Sequence, residues 1–301
     1  MKYVITGGAG FIGSNLVDKL VLDGNELHVL DNFFSGRKEN CNENAYYHKI
    51  DISDESNLDQ IVNILQNVDT VFHMACMARV QPSIINPIKF EKNNSLGTSI
   101  ILKASVQAEV RRFVYSSSSS VYGNNKNLPL VESFEIDPLS PYGAQKYYGE
   151  VLCKTFHKVY GLETVSLRYF NVYGEKQNIS GAYALVLGIF LNQKMENKPL
   201  TIRGSGEQKR DFTYVGDVVR ANILASSSNN VGSGEVINIG NGDNRSINQI
   251  ANLVGGEKIH VDPVIEPFET LANIEKAKML LSWEPSISIE EWYEKTYNKK
   301  S

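Results

Sequence analysis

The sequence predicts an α/β protein built on a doubly wound parallel sheet, with a smaller α/β cap. Three observations carry that expectation. Over the first 170 residues, short β-rich runs alternate with longer amphipathic stretches, the rhythm of strands joined by crossover helices. Several of the runs are almost continuously apolar, as strands buried on both faces have to be. A cluster of glycines, Gly7, Gly8, Gly10 and Gly13, lies between the first run and the helix that follows it.

Taken in order, the candidate strands are 3–6, 27–31, 46–51, 70–74, 113–116 and 164–169. The helices between them are 13–23, 56–66, 88–108 and 141–160. The last has the clearest ends: Ser140 as N-cap, Pro141 at the first helical position and Gly161 just past the final turn. Right-handed crossovers then wind the sheet in both directions. After Tyr169 the rhythm breaks. A polar stretch, 171–180, precedes an apolar helix over 182–194 and a loop from Arg203 to Arg210. Residues 217–225 and 236–239 read as one more helix and strand returning to the sheet, and the tail from Arg245 as a small α/β unit. The expected division is a cofactor-binding domain over 1–170, with return segments near 212–242, and a cap made of 171–211 and 243–301.

Composition narrows the class. A chain of 301 residues with 42% hydrophobic and 21% charged side chains buries a sizeable core, so disordered and fibrous classes are excluded. Thirty Lys and Arg against 34 Asp and Glu leave a net charge of −4, without the basic footprint that nucleic-acid binding needs. Cys41, Cys76 and Cys153 are too few and too scattered for a disulfide framework or a zinc site, and no metal is expected. No apolar run reaches the roughly 18 residues of a membrane span. The chain opens on a strand with no leader ahead of it, so the expectation is a soluble cytoplasmic enzyme.

The glycine cluster supplies the first chemistry. Gly7, Gly10 and Gly13 stand three residues apart between a strand and a helix. Without Cβ atoms the turn can be tight, and a pyrophosphate can approach the backbone at the positive helix N-terminus. Asp31 ends the next strand, 18 residues after Gly13, where a carboxylate accepts hydrogen bonds from ribose hydroxyls and repels a 2′-phosphate. The pattern predicts bound NAD; Arg37 in the following loop keeps NADP open.

A second constellation follows. The run from Phe113 begins as a buried strand and ends in Ser116, Ser117, Ser118, Ser119 and Ser120 at its carboxyl end, the edge where open α/β sheets bind ligands. Downstream, Tyr142 and Lys146 stand four apart on one helix face. A phenol is a poor base near neutrality unless positive charge favours its phenolate. A fixed Lys146 and a cationic nicotinamide would do that, letting Tyr142 take a proton from a hydroxyl while hydride leaves the same carbon. An ordinary surface Tyr–Lys pair has the same spacing; the glycine turn and serine strand favour the catalytic reading.

Together these residues resemble the extended short-chain dehydrogenase/reductase family, and within it the nucleotide-sugar 4-epimerases. The resemblance runs through Thr6-Gly-Gly-Ala-Gly-Phe-Ile-Gly13, Asp31-Asn32, Asp51-Ile52, Val71-Phe-His-Met-Ala75 and Asn94-Ser-Leu-Gly-Thr98. It continues in Ser117-Ser118, Tyr142 with Lys146, Leu167-Arg-Tyr-Phe-Asn171, Arg210-Asp-Phe and Leu281 to Pro285. It implies a Rossmann sheet carrying NAD against Gly7, Gly10, Phe11, Ile12, Gly13, Asp31, Asn32, Ser35, Gly36, Asp51, Ile52, Met74, Ala75, Asn94, Tyr142 and Lys146. Asp51 would meet the adenine and Lys146 the nicotinamide ribose. Ser118 would hold the reacting sugar oxygen, Tyr142 act as base, Asn171 and Arg210 contact the diphosphate, and Glu269 the substrate ribose. A homodimer through 88–108 and 141–160 is implied too, a monomer being the alternative.

Two comparisons narrow the implied reaction. Sugar-nucleotide 4,6-dehydratases carry Thr-Asp-Glu where this chain has Ser118-Ser119-Ser120, so the acid and base for water elimination are missing. Glucuronate decarboxylases carry a glutamate at the position of Ser120. What remains is an isomerase, an NAD-dependent 4-epimerase of a nucleotide-diphosphate sugar such as a UDP-hexose (UDP-glucose, UDP-N-acetylglucosamine or UDP-glucuronate). The alternatives are an NAD(P)-dependent reductase or dehydrogenase of a 4-keto sugar nucleotide and a catalytically silent NAD-sensing protein. One departure stands out. The family's usual Arg-Pro-Gly-Asp/Glu reads Glu266-Pro-Phe-Glu269 here, so a second diphosphate arginine is lacking and Arg203 or Lys209 would have to replace it. Arg79, facing the cofactor, is a candidate for a substrate carboxylate or phosphate, or a solvated loop charge.

Overall fold

Alternation at period two places successive side chains on opposite faces of a strand, and the strands here bury both. In a computed structural model, which describes residues 1–179 and 184–297, Val4 and Ile5 enter separate core clusters, as do Val71 and Phe72, and Phe113 and Val114. The seven strands concerned are Lys2–Thr6, Glu26–Asp31, Tyr46–Lys49, Thr70–His73, Arg112–Ser118, Glu163–Tyr169 and Ser233–Ile239. All pair in parallel, in the spatial order 233–239, 163–169, 112–118, 70–73, 2–6, 26–31, 46–49. The order reverses between strands 2–6 and 70–73, and a ligand crevice is expected outside their carboxyl ends.

Helices Phe11–Leu22 and Val215–Ser227 cover one face, with Leu16, Val17, Leu20, Val218 and Ala221 in its cluster. Leu58–Leu65, Gly97–Gln107 and Pro141–Tyr160 cover the other, contributing Ile61, Leu65, Ile101, Ala104 and Cys153. The single helix predicted over 88–108 is three pieces: Pro87–Glu91, a π-turn at Lys92–Leu96, and Gly97–Gln107. The π-turn turns Asn94 inward, where it is buried.

The second unit gathers around its own core. Helices Val186–Met195, Ile247–Val254 and Ile289–Tyr297 pack Leu187, Phe190, Ile250 and Trp292 against Leu200 and Ile202. Residues 182 and 183, where the sequence starts the first of these helices, lie outside the described residues, as do 298–301 of the tail. The loop predicted from Arg203 to Arg210 is bounded by strands Leu200–Arg203 and Lys209–Asp211, which pair with Lys258–Val261 and Asn244–Ser246. Within the tail, Glu275–Leu281 joins the sheet: Ala277, Leu281 and Trp283 sit in its core cluster, and the Trp283 indole donates to the Asp217 carbonyl at 2.9 Å. Among the described residues no helix is long and apolar enough to cross a membrane.

Candidate active site

The carboxyl ends of strands 2–6 and 70–73 open onto a cleft of about 670 Å³, within the range of small-molecule sites. Its floor is the glycine turn. Gly7 has φ +72°, and a Cβ there would lie 2.8 Å from the Ala75 Cα, so the two loops meet only because position 7 has no side chain. Thr6 fixes the second loop. Its hydroxyl oxygen accepts from the Met74 and Ala75 N–H groups at 3.2 and 3.1 Å, and its proton is directed to His73 Nδ1 at 2.7 Å. His73 is buried, which lowers its pKa to about 3, so the ring is neutral and donates through Nε2 to Thr98 at 3.0 Å.

Most of the residues assigned to the cofactor line this cleft: Gly7, Gly10, Phe11, Ile12, Gly13, Asp31, Asn32, Ser35, Gly36, Asp51, Ile52, Met74, Ala75, Tyr142 and Lys146. Asn94 does not. Its amide donates to the Met77 carbonyl and to Gln145, and its oxygen accepts the Met77 N–H at 2.8 Å, making it a strut behind the wall. The Asp31 oxygens accept one N–H each, from Ala9 at 3.0 Å and Phe33 at 2.8 Å, so the carboxylate shapes the turn and keeps lone pairs for a ribose. Asp51 accepts the Ser53 N–H and hydroxyl. A glycine turn at a helix N-terminus beside a carboxylate suits a dinucleotide with an unphosphorylated ribose.

The catalytic candidates converge on the same cleft. Strand 112–118 delivers Ser118 beside Tyr169, one register step from Ser117 and Arg168. Helix Pro141–Tyr160 starts where Ser140 caps the Gly143 N–H at 3.2 Å. A Cβ on Gly143 would lie 2.6 Å from the Ser120 carbonyl, so the helix start, and Tyr142 with it, reaches the serines because that Cβ is absent. One turn on, the Lys146 ammonium donates to the Ser116 carbonyl at 2.6 Å, leaving two of its three donors for the cleft it lines. It lies 5.9 Å from the Tyr142 ring centroid.

The phenol is held by opposing influences. Burial pushes the Tyr142 pKa well above its ordinary value, Cys76 adds to the rise, and the Ser118 hydroxyl and the Arg79 charge pull it down. Arg79, which also lines the cleft, is a charge that lowers it.

On the cap side, Asn171, Arg203, Arg210 and Glu266 line the cleft. Asn171 donates to the Asp211 carbonyl at 3.2 Å. Arg210 is 7% exposed and Glu266 approaches it directly. Glu269 is absent from the lining: it accepts from Asn244 at 2.9 Å and pairs with Lys209 at 3.6 Å, so the ribose contact implied by resemblance is not placed by this geometry. The sequence also gave no sign of helix Val80–Ile85, whose Gln81 and Pro82 form part of the wall. It is one and a half turns with a proline inside, too short for an apolar period to register.

Residues 3–240 match the model of the NAD dependent epimerase/dehydratase family. A protein of Methanocaldococcus jannaschii described as a putative UDP-glucose 4-epimerase is 39% identical over 98% of this chain and 97% of its own length. The UDP-glucuronic acid decarboxylase 1 of Xenopus tropicalis is 35% identical over 98% of this chain and 71% of its own length. The crystal structure of UDP-glucose 4-epimerase with UDP-glucose from Thermotoga maritima superposes with a TM-score of 0.94 at 38% identity, covering 100% of this chain and 99% of that one.

Proposed function

Because the chain belongs to the NAD dependent epimerase/dehydratase family, we propose that it is a reversible 4-epimerase of a nucleotide-diphosphate hexose, of the UDP-hexose type. The observation that carries this is the convergence of Ser118, Tyr142 and Lys146 on the cleft that the glycine turn and Arg210 also line. Bound NAD supplies a hydride acceptor at the sugar carbon and a positive charge near the phenol. Tyr142 takes the proton of the 4-hydroxyl and returns it to the opposite face's alkoxide. Ser118 orients that oxygen, and Lys146 holds the nicotinamide ribose while anchored to Ser116. Arg210 and Asn171 hold the diphosphate, about which the 4-keto sugar turns to present its other face.

Identity alone does not separate epimerase from decarboxylase, since relatives of both kinds match to similar degree. Residues 118–120 favour the epimerase. Three hydroxyls stand there and no carboxylate, and Ser118 and Ser120 bond one another at 3.1 Å. Incubation with UDP-hexoses should yield the C4 epimer with no net consumption of NAD; stoichiometric cofactor use would indicate a reductase or dehydrogenase instead.

We assign 1–170 with the return segments near 212–242 to the cofactor domain and 171–211 with most of 243–301 to the substrate cap, on the separate core clusters. Glu275–Leu281 goes with the sheet. A homodimer is supported by the exposed Ile85, Ile88, Leu96, Tyr147, Tyr148 and Val151 around helices Pro87–Glu91 and Pro141–Tyr160, an apolar face that a partner copy would cover. Three free cysteines fit a reducing, cytoplasmic setting.

A further inference from the structure

A short strap around Glu266 forms part of the cleft wall. Val264, Ile265, Glu266 and Pro267 line the cleft from this side. The strap is tied at both ends: Gln81 donates to the Ile265 carbonyl at 2.9 Å, and the Phe268 N–H donates to Asn124 at 3.2 Å. Between the ties, Glu266 Oε2 lies 2.7 Å from Arg210 Nη2, and Oε1 accepts from Gln208 at 3.3 Å.

The Arg210 side chain is 9% exposed. Its Nη1 donates to the Lys209 and Phe268 carbonyls at 2.8 and 3.3 Å, which fixes the guanidinium plane. Nη2 is buried and has no aligned hydrogen bond among the described residues, so the carboxylate meets it chiefly as a charge. A buried guanidinium is costly without an anion, and an arginine fork is satisfied best by two aligned oxygens. Glu266 supplies the anion without supplying the fork.

Building on the proposed function, we infer that Glu266 is an internal competitor, an anion that stands in the diphosphate position of Arg210 until substrate displaces it. A diphosphate brings more negative charge and more acceptor oxygens than one carboxylate, so it wins the guanidinium. Glu266 then turns away, since two anions on one arginine repel. A ligand with a single phosphate gains less from the exchange. Glu266 therefore lowers affinity for any phosphate ligand that must displace it, by the free energy of its own contact with Arg210.

The test is calorimetric titration of the NAD-loaded, full-length protein with UDP and with UMP, in the wild type, Glu266→Gln and Glu266→Ala. Both variants should bind UDP at least about tenfold more tightly, the scale of a close charge pair, and UMP more tightly by no larger a factor. Ligand-free Glu266→Gln should melt lower than the wild type, its Arg210 lacking an anion, and should show a larger upward shift with saturating UDP. A purely structural strap would not produce that reversal. Wild-type UDP binding that neither variant tightens overturns the inference and leaves the diphosphate reading intact. Failure of every form to bind UDP overturns that reading and the inference with it.

Discussion

Glu150 and Arg168 form a buried pair behind Ser117 and Ser118. Both side chains are 3% exposed, and the guanidinium donates to the two carboxylate oxygens at 2.8 and 2.7 Å. Glu150 also accepts the Ser117 hydroxyl, and the Arg168 guanidinium lies 4.6 Å over the Tyr122 ring. The pair ties the helix that bears Tyr142 and Lys146 to the strands that bear Ser118 and Tyr169. Removing one member leaves an uncompensated buried charge, so Glu150→Gln or Arg168→Met should destabilise by about 3–5 kcal/mol in urea unfolding. Replacing both with Leu and Met should cost less than the sum of the single changes, because no charge is then stranded.

Tyr142 should govern the rate without governing binding. Tyr142→Phe is expected to lower kcat by about 10²–10⁴-fold, with the Kd for UDP within a factor of a few of the wild type. Activity retained in that variant would remove the proposed base.

Arg79 should set the pH dependence of that base. Burial holds the phenol high and Arg79 pulls it down, so Arg79→Met removes a lowering influence. The rise of kcat/KM with pH should then move to higher pH, and Arg79→Lys should restore much of it. An unmoved profile would mean that the charge at position 79 does not reach the phenol during turnover.

Much of the sheet was legible because its strands are buried on both faces and separated by good helix ends. The helix from Ser140 to Gly161 was predicted in full for the same local reasons, an N-cap and a left-handed glycine. What escaped depends on partners distant in sequence. Strands Leu200–Arg203 and Lys209–Asp211 exist through pairing with Lys258–Val261 and Asn244–Ser246, too far along the chain for periodicity to report. Asn94 carries a family pattern, yet the π-turn points it at Met77 and Gln145. Glu266 was read as a missing cation; only the folded chain shows it seated on Arg210.

Asp211 should make stability fall with rising pH. Its carboxyl is buried, which raises its pKa to about 7 despite N–H donors from Ala272, Asn241 and Gly242. A folded-state pKa above the unfolded value of about 4 means that the native protein holds the extra proton. This contribution is complete below about pH 4 and is lost as pH rises to 7, by at most ~4 kcal/mol. Thermal unfolding of Asp211→Asn across that window should show a shallower pH dependence than the wild type. An identical dependence would place the titration elsewhere.

Gly143 offers a way to separate placement of the base from the rest of the site. A methyl group there would sit 2.6 Å from the backbone oxygen of Ser120, which a strand-anchored turn cannot yield cheaply. The helix start must instead move away from the serines, taking Tyr142 from Ser118 while Lys146, one turn further and tied to Ser116, moves less. A displacement near 1 Å can cost about 10²-fold in rate, so Gly143→Ala should lower kcat by that order. Affinity for NAD, set by the turn from Gly7 to Gly13 some 130 residues earlier in the chain, should change little. Equal losses in kcat and in NAD affinity would mean that the substitution disturbs the whole cleft, and the close approach at Gly143 would then not be what positions the phenol.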